Sequence, residues 1–482
     1  MKKIIQYISL VVATFTLGSC NESYLNQMPT NALPSDMAIL EYDDALIALN
    51  GVYDGMQRYT YYGAQMVAIA EVQGDYMQAL DPNKRTSSFY AMSYNAQNAP
   101  FIWGVPYNQI RRANNLLKAI KAGKADKGAE PGQVDVIKGQ VLALRALNHF
   151  DLVRLYGKSY SVDNGASLGV PIITEAINPD MQPSRATVAE VYKQVIADLK
   201  EATTLLASAK KETPSNGMLN LWAVKGLLAR VSLYHGDNQA AFDLSEDIIA
   251  NSPYKLLSND DYVKAWAEGG VNTEMMFQVI NNAIDNGDRE SISYLMNEGG
   301  YSDMIISRKL VEILDANPGD VRRGLMIPSK TSGNKKTYGS ALVWLNKYPG
   351  KGTDPRINHV PVIRLSEIYL TAAEAAFKLG NMTDASTYLN AIAKRNPALG
   401  TLTPTLQSIM DQRGIELVGE GHRSFDLMRN GMTSDRSIRW SYAFAVPESI
   451  SYGNTYFRAI LPIPKSEVDA NTEIAKQQNP GY

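Results

Sequence analysis

From Ser35 onward, apolar residues return every three or four positions. Val188, Val191, Tyr192, Val195, Ile196, Leu199 and Leu206 fall on one face of a helix, and Thr187 with Glu190 forms a capping-box pattern at its start. The same spacing predicts helices over roughly 36–57, 101–122, 132–156, 219–235, 238–251, 302–316, 364–379, 384–395 and 404–430. Gly123, Gly157, Gly236, Gly380 and Gly431 stand at several of the ends, where a left-handed residue can close the last turn. Met275–Ile280, MMFQVI, is the best strand candidate in the middle of the chain. Long irregular stretches at 81–100, 158–186, 254–300 and 320–362, rich in Asn, Gly, Ser and Tyr, separate the helices. Connections of that length are rarely idle, so the helices are expected to be scaffold and the loops to carry a binding surface.

Two helix pairs superpose when the sequence is shifted by 144 positions: Ala229 on Ala373, Leu233 on Phe377, Gly236 on Gly380, Ala241 on Ala385, Ile248 on Ile392 and Pro253 on Pro397. Small, bulky and turn residues at those offsets resemble a tetratricopeptide helix-turn-helix unit, in which small residues let two helices approach closely. The expected fold is all-α: a tetratricopeptide-like repeat scaffold with long irregular loops and minor β structure on a ligand-binding face. One domain is expected over 35–482, with repeats at about 36–57, 101–156, 187–251 and 364–430 and a loop-rich insert at about 254–362.

Composition narrows the function. With 47 Lys and Arg against 49 Asp and Glu, there is no basic field for a phosphate backbone, and nucleic acid is not an expected partner. Of the aromatic residues, 27 are Tyr against 10 Phe and 5 Trp, a bias toward rings with a polar tip that suits half-wet sites. Residues 1–19 read as a secretory signal: Lys2 and Lys3, an apolar run from Ile4 to Leu17, then small residues. Leu17-Gly18-Ser19-Cys20 resembles a bacterial lipoprotein cleavage box, and Cys20 is the only cysteine. Acylation there would anchor the chain to a membrane without spanning it, and 20–34 would be the tether.

Catalytic motifs are few and incomplete. Gly165–Gly169 fits G-x-S-x-G, but polar SVDN precedes Ser167 and Val170-Pro171 follows, where a nucleophile elbow needs a strand and a helix. The four histidines, His149, His235, His359 and His422, show no metal-binding spacing. Glu416 and Glu420 alternate with Arg413 and Arg423, a pattern of ion-paired helix surface or interhelix staples. Asp285, Asn286 and Asp288 do not match the spacing of a calcium loop. A non-enzymatic protein without metal or cofactor is expected.

Further residues bring a resemblance. RRANNLL (111–117), LRALNHFDLVRLYG (144–157), RLSEIYLTAAEAAFKLG (364–380), QRGIELVGEGHRSFDLMRNG (412–431), LPIPKSEVDANTEIAKQQNPGY (461–482) and YLNQMPTNA after Cys20 resemble, in order, segments of the SusD/RagB family. The resemblance implies an outer-membrane lipoprotein, anchored through Cys20 and facing the cell exterior. Its partner would be a SusC-like TonB-dependent transporter, to which it delivers a glycan without cleaving it. A peptide, as in the RagB branch, is the alternative ligand. A tetratricopeptide-type scaffold that recruits only a protein partner, and a weak glycosidase, are the competing readings.

By family pattern, ligand-contacting aromatics come from the loop ahead of the RRAN helix and from the irregular middle of the chain. The first region supplies Phe89, Tyr90, Tyr94, Asn95 and Asn98; the second supplies Trp266, Tyr294 and Tyr301. Any of these rings could instead anchor a loop to the scaffold. Trp103, Tyr107, Trp222 and Trp344 are assigned to packing.

Overall fold

The computed structural model describes residues 38–482 except 101, 179, 209–216, 268–271, 331–341, 353, 441–445 and 453–455. The expected signal, Cys20 and the 20–34 tether lie outside the described residues. The expected all-α scaffold is present. Apart from short turns of helix at Asn259–Tyr262, Lys465–Ala470 and Thr472–Ala475, its helices are α1 (Tyr42–Asp54), α2 (Gln65–Val72), α3 (Ser87–Ala91), α4 (Gly104–Lys121), α5 (Gln133–Tyr156), α6 (Val188–Ala207), α7 (Leu221–His235) and α8 (Asn238–Asn251). After them come α9 (Ile292–Met296), α10 (Arg308–Asp315), α11 (Leu365–Lys378), α12 (Met382–Ala393), α13 (Leu406–Glu416) and α14 (Arg423–Arg429).

Local chemistry sets the helix ends. The Thr187–Glu190 capping box forms at the head of α6, each side chain accepting from the other's backbone N–H. Gly123, Gly236, Gly380 and Gly431 are left-handed, as expected. Gly157 is not: its φ is −110° and the chain leaves α5 extended. A Cβ at Gly157 would lie 3.0 Å from Val153 O and from Val188, so close approach is what requires glycine there.

The two hairpins related by 144 positions, α7–α8 and α11–α12, pack side by side. Leu233, Ala241 and Phe242 of the first share a small core with Ala375, Ala376 and Ala385 of the second. Ala241 and Ala385, at matching offsets in the two units, both lie where the units touch.

Two expected helices differ in form. The 302–316 segment begins as strand β3 (Met304–Ile306), paired antiparallel with β1 (Met77–Ala79), before Ser307 caps α10. The expected 404–430 helix is broken between α13 and α14, where Gly419 and Gly421 turn left-handed. That break lets Gly421 N and His422 N both donate to Glu71 Oε1 on α2. The expected strand appears as β2 (Met275–Val279), paired with β6 (Val360–Arg364); β4 (Met326–Pro328) with β5 (Val343–Leu345) and β7 (Thr433–Asp435) with β8 (Ser449–Ser451) make further two-stranded antiparallel pairs.

Under the scaffold runs a lattice of buried charge. Arg364 bonds Glu274 and Glu416 at 2.8 and 2.9 Å and Glu420 at 2.7 Å. Lys347 also reaches Glu420, Arg395 reaches Glu274, and Arg413 bridges Glu367 and Asp426. Arg423 grips Asp75 at 2.7 Å, while Arg436 and Tyr452 donate to Gln73 O in the same segment. Glu416 and Glu420 are thus interhelix staples and not surface pairs, since both side chains are buried.

The C-terminal tail closes over α5. Leu461 N donates to Leu155 O. Arg185 donates to the carbonyls of Tyr156, Leu168, Gly169 and Gln477 and to Asn479 Oδ1. Among the described residues no helix is long and apolar enough to cross a membrane.

Candidate functional site

Where the β1–β3 ladder ends, its two strands open into the loops that hold the aromatic candidates. Leu80 N donates to Asp303 O as the last rung, and Thr86 Oγ1 donates to the same carbonyl at 2.8 Å. On the other side Ser291 caps α9, and Tyr301 N and Asp303 N return to Tyr294 O and Leu295 O at 2.9 and 2.8 Å. This fold-back is tight: a Cβ at Gly300 would stand 2.1 Å from Tyr294 O.

The fold-back sets the Tyr294 and Tyr301 rings edge to face, with centroids 4.8 Å apart and planes at 79°. Both are half-buried. The Arg85 guanidinium lies 3.9 Å above the Tyr301 ring, a cation–π contact, and Lys84 Nζ donates to Tyr301 O at 2.6 Å. Asp303, whose side chain is buried, takes Arg85 Nη1 at 3.3 Å. Burial pushes the Asp303 carboxyl up, and Arg85 pulls it back. Half-buried Tyr59 faces the same charges; burial raises its hydroxyl, and Glu290 adds to the rise. The result is a half-wet aromatic surface with a polar border, able to stack on an apolar ring face while hydrogen-bonding its edge.

The other candidates are placed differently. Phe89 and Tyr90 are buried on α3, with Arg436 4.8 Å from the Tyr90 ring centroid. Tyr94 is buried, donates to Arg458 O, accepts from Gln73 Nε2 and stacks with Tyr482 at 6.4 Å. Trp266 is buried between Lys347 and Arg364, which lie 4.9 and 5.5 Å from its ring. These four rings act as loop anchors. Asn95 and Asn98 are exposed on a turn that they brace themselves, Asn98 Oδ1 accepting from Asn95 N, beside the tail where Lys465 N donates to Ala96 O.

The fold thus joins Tyr294 and Tyr301 and adds Tyr59, Arg85, Glu290 and Asp303, which the sequence reading passed over. A charged Asp81–Arg85 run inside an aromatic loop was the available signal. Trp103 and Trp344 are buried, as a packing role requires. Ser167 lies in a loop where its carbonyl accepts from Val188 N, with a 3-10 turn at Tyr160–Val162 ahead of it and not a strand. Asp288 is held by Arg356 at 2.7 Å and Asp285 by Gln57 at 3.3 Å. No group of three or more His, Cys, Asp or Glu residues suited to a metal ion occurs among the described residues. A groove of about 920 Å³ on the scaffold, beside α4 and α5, has a mixed lining of apolar residues such as Leu117 and Leu142 and charged ones such as Lys121, Asp135, Lys138 and Arg145, with no aromatic ring.

Comparison with known proteins gives two family models, together reaching most of the chain. Residues 23–233 match "Starch-binding associating with outer membrane" and residues 319–482 match "SusD family". A SusD superfamily structure from Bacteroides vulgatus is 36% identical, with a TM-score of 0.84, covering 92% of this chain and 99% of that one. SusD-like protein P25 of Formosa agariphila is 25% identical over 100% of this chain and 99% of its own length. A laminarin-binding SusD-like protein is also 25% identical, with a TM-score of 0.71, over 91% of this chain and 99% of that one.

Proposed function

The chain belongs to the SusD family, and from that premise we propose that it is a non-catalytic surface lipoprotein of the outer membrane that captures a glycan. In this reading Cys20 carries the acyl anchor, residues 20–34 are the tether, and the 35–482 domain passes its ligand to a SusC-like TonB-dependent transporter. The observation that carries the proposal is the Tyr294–Tyr301 pair, braced by Arg85 on a loop face above the helical scaffold. Rings of this kind match the C–H faces of a sugar, and the border of Tyr59, Arg85 and Glu290 matches its hydroxyls. A laminarin-binding relative of similar fold supports the same ligand class.

The test is calorimetry on protein lacking residues 1–20, titrated with laminari-, malto-, xylo- and manno-oligosaccharides and with peptides, each hit then analysed for cleavage. Saturable binding of one glycan, recovered intact, is expected. Tyr294→Ala should weaken it by about tenfold or more, the loss of one stacking face. Peptide binding with silence across the glycans would transfer the site to peptide capture, and a shortened oligosaccharide would make the protein an enzyme.

A further inference from the structure

Arg85 has two closed contacts and one open contact. Its Nη1 meets Asp303 Oδ2 at 3.3 Å, where the Asp303 side chain is 2% exposed, and its guanidinium is seated on the Tyr301 ring. Its Nη2 faces Glu290 Oε1 at 3.9 Å, and those two side chains are 35% and 51% exposed. That separation is too long for a hydrogen bond. A cationic donor and an anionic acceptor therefore face each other beside an aromatic ring, each with hydrogen-bonding capacity left over.

A hydroxyl completes such a pair because it accepts from the guanidinium and donates to the carboxylate at once. A carboxylate or sulfate can only accept; it could reach Arg85 but would lie against Glu290, with Asp303 behind. The charge balance points the same way. Among the groups in contact at the Tyr301 ring, Lys84 and Arg85 are matched by Glu290 and Asp303, so these contacts leave no surplus cation to offset the desolvation of an anion. We infer, on the footing of the proposed glycan role, that this site takes neutral oligosaccharides and rejects uronate-bearing or sulfated ones, with the open Arg85–Glu290 pair reading a ring hydroxyl.

The experiment compares the neutral panel with oligogalacturonate and a sulfated carrageenan oligosaccharide, by calorimetry at low and at moderate salt. At least one neutral glycan should bind more than about tenfold tighter than either anion, with little salt dependence. Glu290→Gln, which keeps an acceptor but not its charge, should weaken the neutral ligand by several-fold. Glu290→Lys should abolish that binding and admit the acidic oligosaccharides. Because Glu290 is half-exposed and on a short turn, both variants should melt as the parent does. An acidic glycan as the tightest ligand would overturn the selectivity while leaving glycan capture standing. Affinities unchanged in both variants would overturn the role of the pair. No glycan of any charge bound would remove the glycan reading and this inference together.

Discussion

His149, buried in α5, has both ring nitrogens committed. Nδ1 donates to Arg145 O at 3.0 Å and Nε2 accepts from Ile173 N at 3.2 Å. A proton on Nε2 would point at a backbone N–H, and burial lowers the histidine's pKa from 6.5 to about 4. Because the folded value lies below the unfolded one, the stability from neutral His149 is complete above pH 6.5 and is lost as pH falls toward 4. Urea unfolding followed against pH should therefore steepen below 6.5, and His149→Gln should remove about 1.4 kcal/mol per pH unit of that slope. An unchanged slope would refute the assignment. Gly300→Ala should disturb the Tyr294–Tyr301 fold-back and weaken ligand binding with little change in melting temperature, since the clash falls within one surface loop. At this scale the sequence was half-legible. Tyr294 and Tyr301 could be picked out as loop aromatics, but nothing local separates them from Tyr90, Tyr94 or Trp266, whose burial depends on Arg436, Tyr482 and Lys347, all far along the chain.

Helices were the readable elements, since amphipathic period and caps are local properties. What was not readable was the join between them. The run from 404 to 430 has helical period, yet it breaks where Gly419 and Gly421 turn left-handed, and Glu71, on a helix more than 300 positions earlier, holds the turn by taking two of its N–H groups. The charged residues along α13 and α14 suggested helix-surface pairs or staples; only the fold supplies Arg364, Lys347 and Arg395 as partners. Arg364→Met would leave Glu274, Glu416 and Glu420 buried with one cation fewer, and should cost about 3–5 kcal/mol in chemical denaturation. A loss under about 1 kcal/mol would mean that the lattice redistributes its charge.

Across the whole molecule, remote segments complete each other's polar shells. Arg185 is a buried cation ringed by neutral acceptors, and burial lowers its pKa to about 10. Two of those acceptors, Gln477 O and Asn479 Oδ1, belong to the last residues of the sequence. Deleting 477–482 should therefore destabilise the entire domain by several kcal/mol, measured as a cooperative shift in the urea midpoint, although α5 and α6 remain intact in sequence. A separate, low-temperature melting step for the tail alone would contradict this coupling.

The same arrangement fixes when the protein can finish folding. The Glu71–Asp75 segment is clasped by Gly421, His422, Arg423, Arg436 and Tyr452, some 350 positions later. A chain emerging N-terminus first can wind its early helices, but Glu71 lacks the Gly421 and His422 N–H groups, and Asp75 has Lys309 but not Arg423, until residues 421–452 have emerged. Closing the clasp is therefore a late, long-range step, and the early helices reach their native arrangement only once residues 421–452 are there to hold them.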